Sequence, residues 1–224
     1  MNTSIRTAVT SVLGIAAFAV LLFVPAGTVN YWQGWALLAV FSTATLVPTL
    51  YLARKYPDAV ERRTHAGPQA ESRPIQKVVM TGTFIAFAAM LVVPALDYRF
   101  GWSHVPAWLS IVGDVLVAAG LGLAMAVVAQ NQYASANITI EKGQPLASTG
   151  LYGVVRHPMY SGNVILMIGI ALALGSYWAL LIVVAGTLLM VVRILDEEKL
   201  LSEQLEGYRQ YLEKVRYRLV PLVW

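Results

Sequence analysis

The chain contains no cysteine, which excludes a disulfide, a thiolate metal site and a cysteine nucleophile, and leaves the redox compartment unread. Charge is also scarce, at 12% of the 224 residues, and there are three histidines. No internal repeat, low-complexity tract or linker divides the chain, so one domain is expected. What fills the space is apolar: 58% of residues, with a mean hydropathy of +0.63. A soluble domain of this length reaches a full core with about 45–50% apolar residues. The excess must face lipid. The net charge of +4 is no argument for nucleic acid, because basic residues collect in the cytoplasmic loops of membrane proteins. No nucleic-acid partner is expected.

Six apolar stretches follow one another: Val9 to Val24, Gly34 to Leu52, Val78 to Leu96, Ile111 to Ala129, Val164 to Leu174 and Trp178 to Val192. The first has only Arg6 upstream and small residues after it, a pattern also compatible with a cleaved leader, and it is read as a span. The last two are short for a bilayer, which takes about 20 helical residues. Extended to Tyr160 and Leu195 they become adequate, and "GSY" between them predicts a tight helical hairpin that returns both ends to one membrane face. The expected fold is all-α and membrane-embedded, with about six spans and a cytoplasmic C-terminal helix and tail. If the N-terminus is cytoplasmic, every Lys and Arg except Arg99 falls on the inner side, including Arg6, the cluster from Arg54 to Lys77, and Lys142. That asymmetry places both termini in the cytoplasm.

Two polar clusters stand at the edge of this oil. In "GVVRHPMYSG" the proline turns His157 away from helical geometry and itself suits the first turn of the next helix. A helix start beside Arg156 favours an anionic group, although Arg156 snorkelling to headgroups and His157 merely capping is an equally good reading. In "VVRILDEEKLL" Arg193 and Glu197 are four apart on one helical face, and Asp196 and Glu198 adjoin them at the end of an apolar helix. Ionisable groups at that depth point to function, against the alternative of an ordinary ion pair on a solvated helix.

Together, "GQPLASTGLYGVVRHPMYSG" and "RILDEEKLLSEQLEGYRQYLEKVRYRLVP" resemble the isoprenylcysteine carboxyl methyltransferase family and its prokaryotic relatives, which are similar in turn to phospholipid methyltransferases. The likeness covers roughly Gly143 to Trp224; the N-terminal spans carry no diagnostic motif. It implies an integral-membrane enzyme using S-adenosylmethionine, with residues 1–131 as N-terminal spans and 132–224 as the cofactor-binding and catalytic portion. It further implies that His157, Pro158 and Tyr160, beside Arg156, form the cofactor pocket, that Gly150 and Tyr152 shape its entry loop, and that Glu198 contributes from the facing helix. Arg193 and Glu197 match the family's reaction centre. The eukaryotic enzymes commonly have Phe-Gly and two acidic residues before the first tyrosine of this ending, whereas this chain reads "LEGY", which leaves the role of Tyr208 open.

Methyl transfer from a sulfonium gains chiefly from holding donor and acceptor in line, and no metal is required. A carboxylate acceptor could be oriented by Arg193; an amine or hydroxyl would need a proton removed, a task for Glu197. The acceptor is expected to be lipophilic and to arrive from the bilayer among the membrane lipids. A membrane reductase using NADPH, related to the sterol reductases that share a His-Pro-x-Tyr loop and an ending like "VRYRLVP", is the alternative enzyme. A non-catalytic membrane scaffold is the third reading.

Overall fold

A computed structural model describes residues 3–64, 67–71, 73–141 and 143–224, with the side chains of 3–12 and 64 outside the description. Lys142 and the side chain of Arg6, both counted in the basic asymmetry, therefore lie outside the described residues. Those described form eight α-helices and no strand: α1 (Thr3–Ala26), α2 (Trp32–Lys55), α3 (Pro57–Thr64), α4 (Pro74–Phe100), α5 (Ala107–Gln130), α6 (Pro158–Ala173), α7 (Ala179–Gln204) and α8 (Tyr208–Lys214). Four of them, α2, α4, α5 and α7, are long and apolar enough to cross a membrane; α6 and the Leu13–Ala26 part of α1 are shorter apolar helices. Outward side chains on these helices agree with a lipid surround: Val115, Leu181 and Leu188 are each more than 60% exposed.

The helix limits follow from local chemistry. Pro74 and Pro158 open α4 and α6, where a missing N–H costs nothing. Gly101 closes α4 in the left-handed conformation with φ 67°, its N–H bonded to the Asp97 carbonyl. The stretches expected to form the hairpin fall in the consecutive helices α6 and α7, with Gly175 at φ 71° between them. The second arm is longer than its apolar run, because "DEEKLLSEQ" consists of good helix formers and carries α7 to Gln204. The basic segment from Arg54 to Lys77, between two apolar stretches, contains the short helix α3.

Packing places α5 between α2 and α6, and α4 between α1 and α7. The α5–α6 contact is made by glycines: a Cβ on Gly113 would lie 2.2 Å from the Ala173 amide nitrogen, one on Gly120 2.6 Å from the Gly162 carbonyl, and one on Gly169 2.7 Å from the Val117 amide. Backbones this close gain the dispersion contact that drives helix association in lipid. At one end of the bundle the buried Asp97 accepts from the Ser103 amide and hydroxyl, both at 2.6 Å, and from the Ser176 hydroxyl at 2.5 Å, tying the α4–α5 loop to the α6–α7 turn. The Tyr31 hydroxyl donates to the Leu174 carbonyl there. The other end, where α5 and α7 finish and α6 begins, carries the polar residues of both motifs.

Candidate functional site

At that end a cleft enclosing about 830 Å³ of empty space, mouth included, opens between the 131–147 segment, the start of α6, and the α7–α8 region. It brings together Tyr152, Arg156, His157, Pro158 and Tyr160 from the first motif and Glu197 from the second. Gly150 is not on its wall. Its φ of +57° and the Gln130 amide, 2.5 Å from where a Cβ would be, show a different task. Gln130 donates to the Thr149 carbonyl and accepts from the Leu151 amide, so the glycine lets the end of α5 clamp the turn that presents Tyr152.

Glu198 also stands behind the wall rather than on it. It is 7% exposed and receives three cationic or potentially cationic groups: Arg156 at 2.9 Å, His157 Nε2 at 3.3 Å and Arg218 at 2.9 Å. The anion that the basic cluster at the helix start receives is thus the chain's own. The same cluster binds the tail through its backbone, since the Arg156 amide donates to the Tyr217 carbonyl at 2.9 Å and the His157 amide to the Arg218 carbonyl at 3.0 Å. Arg156 Nη2 reaches the Arg216 carbonyl, and the Ser161 hydroxyl the Leu219 carbonyl.

Arg193 and Glu197 share a face as their spacing requires, but a phenol stands between them. Arg193 Nε donates to the Tyr160 hydroxyl at 3.0 Å, and that hydroxyl donates to Glu197 Oε2 at 2.7 Å. The rest of the guanidinium is held by residues absent from either motif: Gln76 Oε1 and the Ala136 carbonyl accept from Nη1 and Nη2, and Glu71 forms an ion pair at 2.9 Å. Glu71 is 3% exposed and Gln76 fully buried. Gln76 Nε2 in turn donates to Asp196, which also pairs with Arg73 at 2.7 Å. Sequence reading missed Glu71, Arg73 and Gln76 because they sit 117 or more positions from Arg193 and Asp196 along the chain. "ESRPIQK" offers only a polar run before an apolar helix as a signal.

Two further wall residues were not foreseen as ligands. The Tyr208 hydroxyl and Asn137 Oδ1 are buried, lie on the cleft and have no hydrogen-bond partner in the protein. Burial, then the negative charge of Glu198 and Glu197, holds the Tyr208 phenol well above its ordinary value, so it is a donor at any physiological pH. Tyr211 donates to the Tyr152 carbonyl at 2.7 Å and Tyr152 accepts from Asn131, which fixes the rim. Among the described residues no three His, Cys, Asp or Glu side chains converge as a metal site.

Residues 108–207 match the family model described as phospholipid methyltransferase. A mouse (Mus musculus) Delta(14)-sterol reductase is 33% identical over 85 residues, 37% of this chain but only 20% of that protein, so the chain spans about a fifth of this curated relative. The eukaryotic intramembrane Ras methyltransferase, isoprenylcysteine carboxyl methyltransferase, superposes with a TM-score of 0.50 at 16% identity, over 100% of this chain and 88% of that one. That likeness is one of fold. The matched region 108–207 includes every residue of the cleft wall except Tyr208 and Tyr211. The resemblance to membrane methyltransferases carried by the two motifs therefore holds in sequence across residues 108–207 and in fold across the whole chain.

Proposed function

We propose that the protein is an S-adenosylmethionine-dependent methyltransferase acting on a lipophilic acceptor at the cytoplasmic membrane interface, with residues 132–224 as its working portion. The observation that carries this reading is the cleft itself, which gathers both motifs into one wall at the end of an apolar bundle. The unpartnered Tyr208 hydroxyl and Asn137 Oδ1, beside apolar Leu201, Leu205 and Met159, suit a ligand with polar groups and a hydrophobic flank. The residues present fit the cofactor. When bound, S-adenosylmethionine supplies an electrophilic methyl group on a sulfonium.

The chain supplies binding and orientation. Tyr152, Arg156, His157, Pro158 and Tyr160 line the cofactor side, with Gly150 and Glu198 supporting them from behind. Glu197 is held through Oε2 by Tyr160, and its charge favours a cationic neighbour or takes a proton from an amine or hydroxyl acceptor. Arg193, fastened by four protein groups, sets the position of Tyr160 and through it of Glu197. Alignment of this kind is where most of the acceleration of a bimolecular transfer arises.

Titrating the purified protein with S-adenosylmethionine and with NADPH tests the reading. Micromolar binding of the first and a labelled methyl group appearing in membrane lipids are expected. The sterol reductase similarity favours a membrane reductase as the second reading; NADPH binding without S-adenosylmethionine binding would establish it instead.

A further inference from the structure

The tail that Arg156 and His157 hold runs into a closed turn. The Trp224 main-chain oxygen accepts from the amides of Arg218 and Leu219, both at 2.9 Å, and of Val220 at 3.2 Å, while the Val220 carbonyl accepts from the amides of Val223 and Trp224. Leu222 sits at its tip with φ +68°, a conformation uncommon for leucine. Leu219 points inward and is buried, but Val220, Leu222 and Val223 are 48%, 85% and 78% exposed. They stand outside the cleft wall. A turn fixed by five main-chain hydrogen bonds thus holds three large apolar side chains toward the surroundings of the bundle.

Two contacts set the depth of this turn. The Leu219 carbonyl accepts from the Ser161 hydroxyl at 2.6 Å, in the first turn of α6. The next residue, Gly162, lies against the middle of α5, where its Cβ would be 2.9 Å from the Gly120 carbonyl. Helix α5 is long and apolar enough to cross a membrane, and Gly120 lies ten residues, or about 15 Å, before its last residue, Gln130. Leu219 is therefore level with the apolar length of α5, not with its polar end. The second contact agrees: Arg218 pairs at 2.9 Å with Glu198, which follows the apolar run of α7 directly. Side chains exposed at the perimeter of the bundle at that level meet lipid. Lys214 and Arg216, both exposed, precede the turn, and the Arg218 guanidinium lies 5.0 Å from the Trp224 ring. Basic, aromatic and apolar residues in one short segment suit a membrane interface, the bases meeting lipid phosphates and the apolar side chains the acyl region.

We propose that the turn formed by residues 219–224 docks in the bilayer: Val220, Leu222 and Val223 insert among the phospholipid acyl chains at the cleft end of the bundle, and this contact holds the tail against Arg156 and His157. The inference concerns what the tail touches and stands whatever ligand the cleft takes.

The test uses the whole protein, one copy per phosphatidylcholine nanodisc. Single cysteines replace Leu222, Leu188 and Ser148 in this cysteine-free chain and carry a bimane label. Leu188, exposed on the apolar part of α7, reports lipid, and Ser148, exposed on a loop, reports water. Phosphatidylcholine brominated high on its acyl chains should quench the Leu222 label as it quenches the Leu188 label. Aqueous iodide should quench Leu222 at least about five-fold less than Ser148, as for side chains lying ~5–10 Å below the surface. A second measurement reads the hold on the tail. Leu222→Asn and Leu222→Asp introduce residues that accept positive φ more readily than leucine, so release of the tail reports lost apolar contact and not backbone strain. In both variants the amides of Arg156 and His157 should exchange hydrogen at least about ten-fold faster, because exchange follows the population in which the tail is free. Iodide quenching at Leu222 equal to that at Ser148 overturns the proposal. So does shielding of Leu222 from iodide and brominated lipid alike, which means that a protein surface covers the turn, and so does unchanged amide exchange in both variants.

Discussion

Tyr160 donates to Glu197 and accepts from Arg193, so a single hydroxyl holds a carboxylate and a guanidinium at a defined separation. Tyr160→Phe removes only that oxygen. We expect turnover to fall about a hundred-fold, within the range for a displaced acid–base group, while S-adenosylmethionine affinity changes a few-fold at most. Single-turnover rates and equilibrium titration, measured side by side, check this; a proportional loss of affinity would make Tyr160 a binding residue only. Glu198 predicts a different signature. With three partners converging on one buried carboxylate, Glu198→Gln should destabilise the fold by about 3 kcal/mol, the cost of breaking a buried ion pair, and weaken cofactor binding in step. Thermal unfolding in detergent reads the first effect and calorimetry the second. The residues of the two motifs could be found in the sequence because their chemistry is concentrated in short runs. Glu71 and Gln76 could not, since each acquires its meaning from a partner far along the chain, and an isolated polar side chain beside a basic run looks like any other.

At the level of elements, the α5–α6 contact determines how accurately the start of α6 meets the end of α5. Gly120→Ala puts a methyl group 2.6 Å from the Gly162 carbonyl, whereas Gly122→Ala, two residues on, meets nothing within 4 Å. The first should cost about 1–3 kcal/mol through overpacking and reduce ligand binding; the second should be neutral or slightly stabilising. Comparing the two melting temperatures tests whether close backbone approach, rather than helix propensity, explains those glycines. The apolar helices were legible to within a few residues, because a bilayer demands long continuous runs. Helix α3 was not: a helix of eight residues has no stability of its own, and it exists because Ala59 and Val60 pack on Leu52, Val128 and their neighbours. The extent of α7 was hidden for the opposite reason, as its last two turns are polar and only propensity marks them.

For the whole molecule, the asymmetry of basic residues predicts that the Asp97 end faces away from the cytoplasm and the cleft faces into it. The chain has no cysteine to interfere with labelling. His104→Cys and Ser148→Cys occupy exposed positions at the two ends. An impermeant maleimide added to intact cells should modify the first and spare the second; the reverse pattern would invert the topology. The membrane class and the general position of the cleft were legible because hydropathy and charge act over long segments. The cleft's construction was not, because it depends on backbone pairing between the "RHP" turn and residues 217–218, which side-chain identity does not announce.

That pairing also orders events during biosynthesis. The helices from α1 to α7 can enter the bilayer as they emerge, but the amides of Arg156 and His157 have no acceptors, and Glu198 lacks Arg218, until the tail as far as Tyr217 and Arg218 has left the ribosome. Insertion and the acquisition of a binding site are thus separate steps, and the second is reversible by a protease. Trypsin cutting after Lys214 or Arg216 would remove the tail segment that Arg156 and His157 hold while leaving the bundle embedded. A nicked protein that still runs as a folded, membrane-bound species but no longer retains S-adenosylmethionine is the expected product, detectable by mass spectrometry of the released peptide together with a filter-binding assay.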